Sequence, residues 1–123
     1  MDAVEPDAPL DLPGPSDTAA ALLRRAAEHV ERLSAVVPDG SWSARGLLAS
    51  RPEIVAEDAA GNTEHVAEAR ARSARWILTM SPALAPPLVA WLRATAADLD
   101  RGGSRPGSPT TTAAVALART LLD

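Results

Sequence analysis

Residues 76–91, WILTMSPALAPPLVAW, restrict the fold of this chain more than any other stretch. From Trp76 to Leu92 there are seventeen residues without a charge, and three of them are prolines. A helix that spans a bilayer needs about twenty apolar residues, with every backbone group satisfied inside the lipid. The prolines would free backbone groups, so the sequence favours two helices that meet at a proline corner. This interpretation places Trp76 and Trp91 in a protein core.

Length and composition indicate a single cytoplasmic domain. The chain has 123 residues and no cysteine, so disulfides and thiolate metal sites are excluded. Residues 1–17 contain five acidic residues and no basic one, the reverse of a secretory signal peptide. Phenylalanine and tyrosine are absent, which leaves leucine, alanine, valine and isoleucine to pack around three tryptophans.

The spacing of apolar residues predicts about four helices. The first runs from a cap at Ser16 or Asp17 to the turn at residues 38–40, and the others cover about 63–80, 86–101 and 111–122. In chain order, the residues expected to face the core are Leu22, Ala26, Val30, Leu33 and Val37; Val66, Ala69, Ser73, Trp76, Ile77 and Met80; Leu88, Trp91, Leu92, Thr95 and Leu99; and Ala114, Leu117, Ala118 and Leu121.

Between residues 41 and 57 the helical spacing is lost. Two strands, at about 41–49 and 53–57, are predicted to form a β-hairpin. Residues 1–16 are interpreted as a disordered, acidic, proline-rich arm whose Leu10 and Leu12 could still dock, and residues 101–110 as a flexible loop. The expected fold is α+β and mainly helical, with about four helices packed against a two-stranded hairpin in one domain over 17–123.

The tryptophans allow two interpretations. With no other aromatic residue to fill volume, Trp42, Trp76 and Trp91 are expected to share one core. Alternatively, one of them is partly exposed and anchors a protein partner, because tryptophan is enriched at the energetic centres of interfaces.

An acidic cluster is the weaker candidate site. Glu64 and Glu68 fall one turn apart on a predicted helix, with His65 beside them and Glu57 and Asp58 just before. Carboxylates and imidazole can bind a divalent ion, but an ordinary solvated surface has the same composition. No nucleophile motif and no phosphate-binding loop are present, so no cofactor is predicted.

The arginines give little support for nucleic-acid binding. Arg70, Arg72 and Arg75 lie close together in the sequence, but acidic residues surround them, and nucleic-acid binding usually needs a concentrated basic face. A nucleic acid or a membrane is therefore a less favoured partner than another protein or a second copy of this chain.

Several segments together resemble a family of small uncharacterised proteins of actinobacteria and their phages. These are ALLRRAAEHVERLSAV, PDGSW, EIVAED, ARWILTMSPALAPPLVAWLRATAADLD and ALARTLLD. In that family the turn resembles Pro-Gly-Pro-Trp, and a histidine stands where this chain has Ser81. The resemblance implies an origin in a phage or mobile element, and it supplies no catalytic residue.

Together these observations predict a non-enzymatic accessory protein that acts through a protein-binding surface, with a homodimer as one form. Two alternatives stay open at this point. One is a small-ligand or metal-dependent enzyme that uses the carboxylates at 53–68, and the other is a DNA-associated regulator that uses Arg70, Arg72 and Arg75.

Overall fold

The computed structural model describes residues 14–46 and 51–123. Residues 1–13 of the predicted arm lie outside these described residues, and so do residues 47–50, which include the end of the first predicted strand. The described chain is α+β and mainly helical, with one antiparallel sheet. Its elements in order are α1 (Pro15–Val36), β1 (Ser41–Arg45), β2 (Glu53–Glu57), β3 (Thr63–Glu68), α2 (Ala71–Thr79), a 3-10 turn (Pro82–Leu84), α3 (Ala85–Asp100) and α4 (Pro109–Leu122).

Three of the helices form a bundle in which α1 packs against both α3 and α4. The buried core of this bundle has eleven residues, and seven of them are alanine. They are Ala19, Ala20, Leu23, Ala26, Ala27, Val89, Leu92, Ala96, Leu99, Ala114 and Ala118. Alanine has a short side chain, so helices can approach closely along such a seam, and larger apolar residues are left at its edges.

The predicted core-facing stripe of α1 is therefore partly wrong. Leu33, expected inside, exposes 53% of its surface, whereas Leu23 is fully buried. The pairs Ala19–Ala20 and Ala26–Ala27 recur seven residues apart and lie in the core, and of these four alanines only Ala26 belonged to the predicted stripe. The helix is thus rotated so that mainly small residues form its buried face, and Leu22 and Val30 of the predicted stripe pack only at the edge of the core.

Two ion pairs join α1 to α3 beside the alanine seam. Arg24 pairs with Asp100, and Arg93 pairs with Glu31. The order of these pairs along the chain shows that α1 and α3 run antiparallel. Because all four side chains are nearly half exposed, the pairs fix register and add little stability.

The sheet corrects the predicted two-stranded hairpin, because it has three antiparallel strands in the order β1–β2–β3. The second predicted strand, 53–57, is confirmed as β2. The helix predicted over 63–80 is wrong in its first part, since Thr63–Glu68 is β3 and α2 begins only at Ala71. The bundle consequently contains three helices rather than four, and the short α2 packs against β1.

A tight turn explains why residues 63–68 form a strand. The Asp58 carboxylate accepts hydrogen bonds from the backbone N–H groups of Ala60 and Asn62, both at 2.9 Å. Gly61 has a φ of +83°, a conformation that glycine adopts without strain. The turn returns the chain alongside β2, where backbone pairing outweighs the helical spacing of this segment.

The proline corner lies where the sequence predicts it. The chain turns at Ser81, passes through the 3-10 turn and enters α3 at Ala85, one residue before the predicted start. Further along, α4 begins at Pro109, two residues earlier than predicted, because the Ser108 hydroxyl caps it by accepting a hydrogen bond from the Thr111 N–H at 3.2 Å.

Across the described ranges 14–46 and 51–123, we find no helix with both the length and the apolar character needed to cross a bilayer.

Candidate functional site

An uncharged groove lies where the C-terminal part of α1, the proline corner, the start of α3 and the end of α4 meet. It encloses about 400 Å³. Of its twelve lining residues, only two serines are polar and none is charged. The residues that line this apolar groove are Val30, Leu33, Ser34, Val37, Trp42, Met80, Ser81, Pro82, Leu84, Ala85, Leu88 and Leu121.

The groove is open because the bundle buries its alanines. Leu33, Met80 and Leu84 expose 53%, 49% and 40% of their surfaces, although each is large and apolar. Val36, outside the lining of the groove, is exposed as well. Single exposed apolar residues are common on proteins, but several around one uncharged hollow typically mark a binding surface.

Trp42 forms a fixed part of the groove wall. Its indole is half-buried, and its Nε1–H donates a hydrogen bond to the Pro38 carbonyl oxygen at 2.9 Å. That bond spans the turn between α1 and β1, which passes through Gly40. The sheet and the bundle therefore both contribute to the site.

The three indoles do not share one core, contrary to the first interpretation of the sequence. Trp76 exposes 66% of its surface and Trp91 45%. Trp76 lies one helical turn before Met80, and the Met80 N–H donates to the Trp76 carbonyl oxygen at 3.0 Å. Trp76 is therefore an exposed residue one helical turn before Met80, which lines the apolar groove.

Trp91 lies on a different part of the surface. It lines a hollow between α3 and the start of α4, together with Asp98 and Thr110. Leu84 ends the 3-10 turn, and Leu88 and Trp91 follow on α3 at spacings of four and three residues, so an apolar row continues from the groove to this indole.

A charged hollow borders the groove. It encloses about 560 Å³, and Glu31, Asp39 and Arg93 are among its lining residues. The two hollows share Ser34, Pro82 and Ala85. The site thus has an uncharged centre with charge at one side, which is the arrangement of protein interfaces that are apolar at the core and polar at the rim.

The acidic cluster is not assembled as the sequence suggested. Glu64 and Glu68 lie on β3 instead of on one helical face, and Glu68 is opposite Glu53 in the neighbouring strand. His65 Nδ1 is 3.7 Å from Glu53 Oε1, and Glu57 lies 3.9 Å from Arg45. Among the residues that the structure describes, no three His, Asp or Glu side chains are grouped so that they could hold a metal.

The remaining carboxylate of that cluster has a structural role. Asp58 accepts hydrogen bonds from the backbone and the side chain of Asn62 and from the Ala60 N–H. These bonds favour the ionised form and hold the pKa of the Asp58 carboxyl below its ordinary value. Its oxygens are engaged in closing the turn between β2 and β3.

Sequence reasoning selected Trp42, Trp76 and Trp91 but missed the leucines and Met80 beside them. Leu33, Leu88 and Met80 had been assigned to the core. The repeated alanine pairs in α1 carried the missing signal, because they mark a second face on which helices can pack.

Comparison of the chain with protein-family models, with curated proteins and with solved structures finds no match in any of the three.

Proposed function

We propose that this chain is a non-enzymatic accessory protein of the cytoplasm that binds a protein segment in its apolar groove. The observation that carries the proposal is the twelve-residue lining without a charged side chain, around which Leu33, Met80 and Leu84 are 40–53% exposed. Burying such side chains against a partner removes apolar surface from water, which contributes about 25 cal/mol for each Å².

The groove has features of a recognition surface in addition to hydrophobicity. Trp42 is fixed by its hydrogen bond to Pro38, so little conformational freedom is lost when a partner contacts it. Trp76, one helical turn before the groove residue Met80, is an exposed aromatic residue of the kind that often dominates binding energy. The charged hollow alongside offers groups that select among partners by electrostatic complementarity.

The geometry supports this function better than the two alternatives. An enzyme that uses the carboxylates at 53–68 would need them to converge, but they are spread along two strands and a turn. A DNA-associated regulator would need an extended basic face. Beyond residues 1–13 the chain has twelve acidic residues against twelve arginines, since four of its sixteen acids lie in that segment. An origin in a phage or mobile element stays a prediction.

Leu33→Asp is expected to weaken partner binding at least about tenfold, equivalent to about 1.4 kcal/mol, because it places a carboxylate in the uncharged groove. The matched control is Val36→Asp, three residues later on α1, where the side chain is 80% exposed and outside the groove lining. Tagged full-length protein would be used to capture partners from native lysate, and the recovered proteins quantified by mass spectrometry.

The expected result is a captured protein that Leu33→Asp loses and Val36→Asp retains. Capture that is equal for the two variants would place any binding surface elsewhere and contradict the proposed function.

A further inference from the structure

We propose that the occupant of the apolar groove is the acidic segment formed by residues 1–13 of a second copy of this chain. This inference rests on the proposed function, because it names the partner of the same groove. Three observations support it: the chemistry of the segment, the arginines beside the groove, and the distance that separates the groove from the segment of its own chain.

The segment has the composition that the groove and its margin require. Its sequence is MDAVEPDAPLDLP, with apolar residues at Val4, Leu10 and Leu12. It also has four carboxylates and no basic residue. Leucine side chains suit an uncharged apolar hollow, and the carboxylates need cationic partners close by.

Helix α2 supplies those cations. Arg72, Trp76 and Met80 follow one another at intervals of four residues, so they form a row along α2 that ends in the groove. At 1.5 Å per residue this row is about 12 Å long. Arg75 lies next to it, and neither Arg72 nor Arg75 forms an ion pair within the described part of the chain.

Distance requires the two leucines of the segment, Leu10 and Leu12, to come from another molecule. Gly14 immediately precedes α1, and the first groove residue on that helix, Val30, is sixteen residues further along. Sixteen residues of α-helix span about 24 Å. Leu10 is four residues before Gly14, so that even a fully extended chain carries it at most about 14 Å. Leu10 and Leu12 therefore cannot reach the groove of their own chain.

Reciprocal exchange of residues 1–13 between two copies of the chain would fill both apolar grooves. If each chain places residues 1–13 in the groove of the other, the assembly closes as a symmetric dimer, and both grooves are filled. The acidic excess of the chain then lies against the arginines of α2. The dimer is expected to weaken as salt is added, because exposed ion pairs are screened.

The test uses full-length protein in sedimentation equilibrium, with wild type, L10S/L12S, Leu33→Asp and Val36→Asp. We expect wild type and Val36→Asp to dimerise alike. L10S/L12S and Leu33→Asp should each raise the dimer dissociation constant at least about tenfold. A labelled peptide of residues 1–13 should bind L10S/L12S, whose groove is intact, and should bind Leu33→Asp much more weakly.

A charge-reversal experiment tests the arginines directly. R72E/R75E should weaken binding of the peptide, and a peptide with D7R/D11R should recover affinity for R72E/R75E but not for wild type. If the peptide with D7R/D11R does not recover affinity for R72E/R75E, then Arg72 and Arg75 do not contact the acidic segment, and the proposal is overturned.

Other outcomes separate this inference from the proposed function. Dimerisation that L10S/L12S leaves unchanged, or a wild type that stays monomeric and does not bind the peptide, overturns the inference. The groove would still be a binding surface if Leu33→Asp alone lost a captured protein. Peptide binding that is unaffected by Leu33→Asp would place residues 1–13 elsewhere and also overturn the inference.

Discussion

Gly40→Ala is expected to destabilise the fold by about 3 kcal/mol or more. Gly40 has a φ of +93°, where an L-residue pays about 1–2 kcal/mol. A Cβ at this position would lie 2.2 Å from the backbone oxygen of Glu57, so the turn and β2 would have to separate. Overpacking of that kind adds about 1–3 kcal/mol. Urea denaturation followed by circular dichroism would measure the loss.

Gly102→Ala is the matched control for this substitution. Gly102 also has a positive φ, +72°, but no atom lies within 4 Å of the Cβ that alanine would add. We expect Gly102→Ala to lower the free energy of unfolding by only about 1 kcal/mol, because only the backbone conformation disfavours alanine there. Equal losses at the two positions would show that the turn after α1 is not packed against β2 as described.

Leu92→Ala is expected to lower the free energy of unfolding by about 2–5 kcal/mol, the range for truncating a fully buried leucine to alanine. Leu92, on α3, is fully buried in the core of the helical bundle. The same substitution at Leu33, which is 53% exposed, should cost less than about 1 kcal/mol. Both changes replace leucine with alanine inside a helix, so helix propensity differs little between them and the contrast measures burial.

This pair of substitutions distinguishes the structure from the apolar stripe predicted by the sequence. The sequence placed Leu33 in the predicted stripe of the first helix and Leu92 in that of the penultimate helix, so it predicts a large loss of stability at both positions. Urea denaturation of the two variants gives the comparison. A large loss at Leu33 would mean that α1 faces its neighbours with the leucine stripe, and the apolar groove would then be closed.

Local sequence signals located most of the elements. The turn at residues 38–40 ends the first helix, and Pro52 precedes β2, so these boundaries could be predicted from turn chemistry. The corner near Pro82 followed in the same way from the missing N–H groups of proline. Such signals act over a few residues and do not depend on the rest of the fold.

Two other features depended on contacts between distant residues. Thr63–Glu68 has helical spacing, but it pairs with β2 because the Asp58 turn brings it there. The sequence did not determine which face of α1 is buried, because the helix has both a leucine and valine stripe and the alanine pairs. Only packing against α3 and α4 selects between these two faces. The acidic cluster was predicted on a helical face, and that arrangement is absent because Thr63–Glu68 is a strand.

Acrylamide quenching of tryptophan fluorescence tests most directly the central claim that large apolar side chains lie outside an alanine core. It would be applied to L10S/L12S, at a concentration where sedimentation shows a monomer. We expect Trp76 and Trp91 to be readily quenched and the half-buried Trp42 to be quenched less, so that Trp76→Phe and Trp91→Phe each remove part of the most accessible emission. If all three indoles were protected from acrylamide in the monomer, the tryptophans would share a common core. That result would contradict the claim that large apolar side chains lie outside an alanine core.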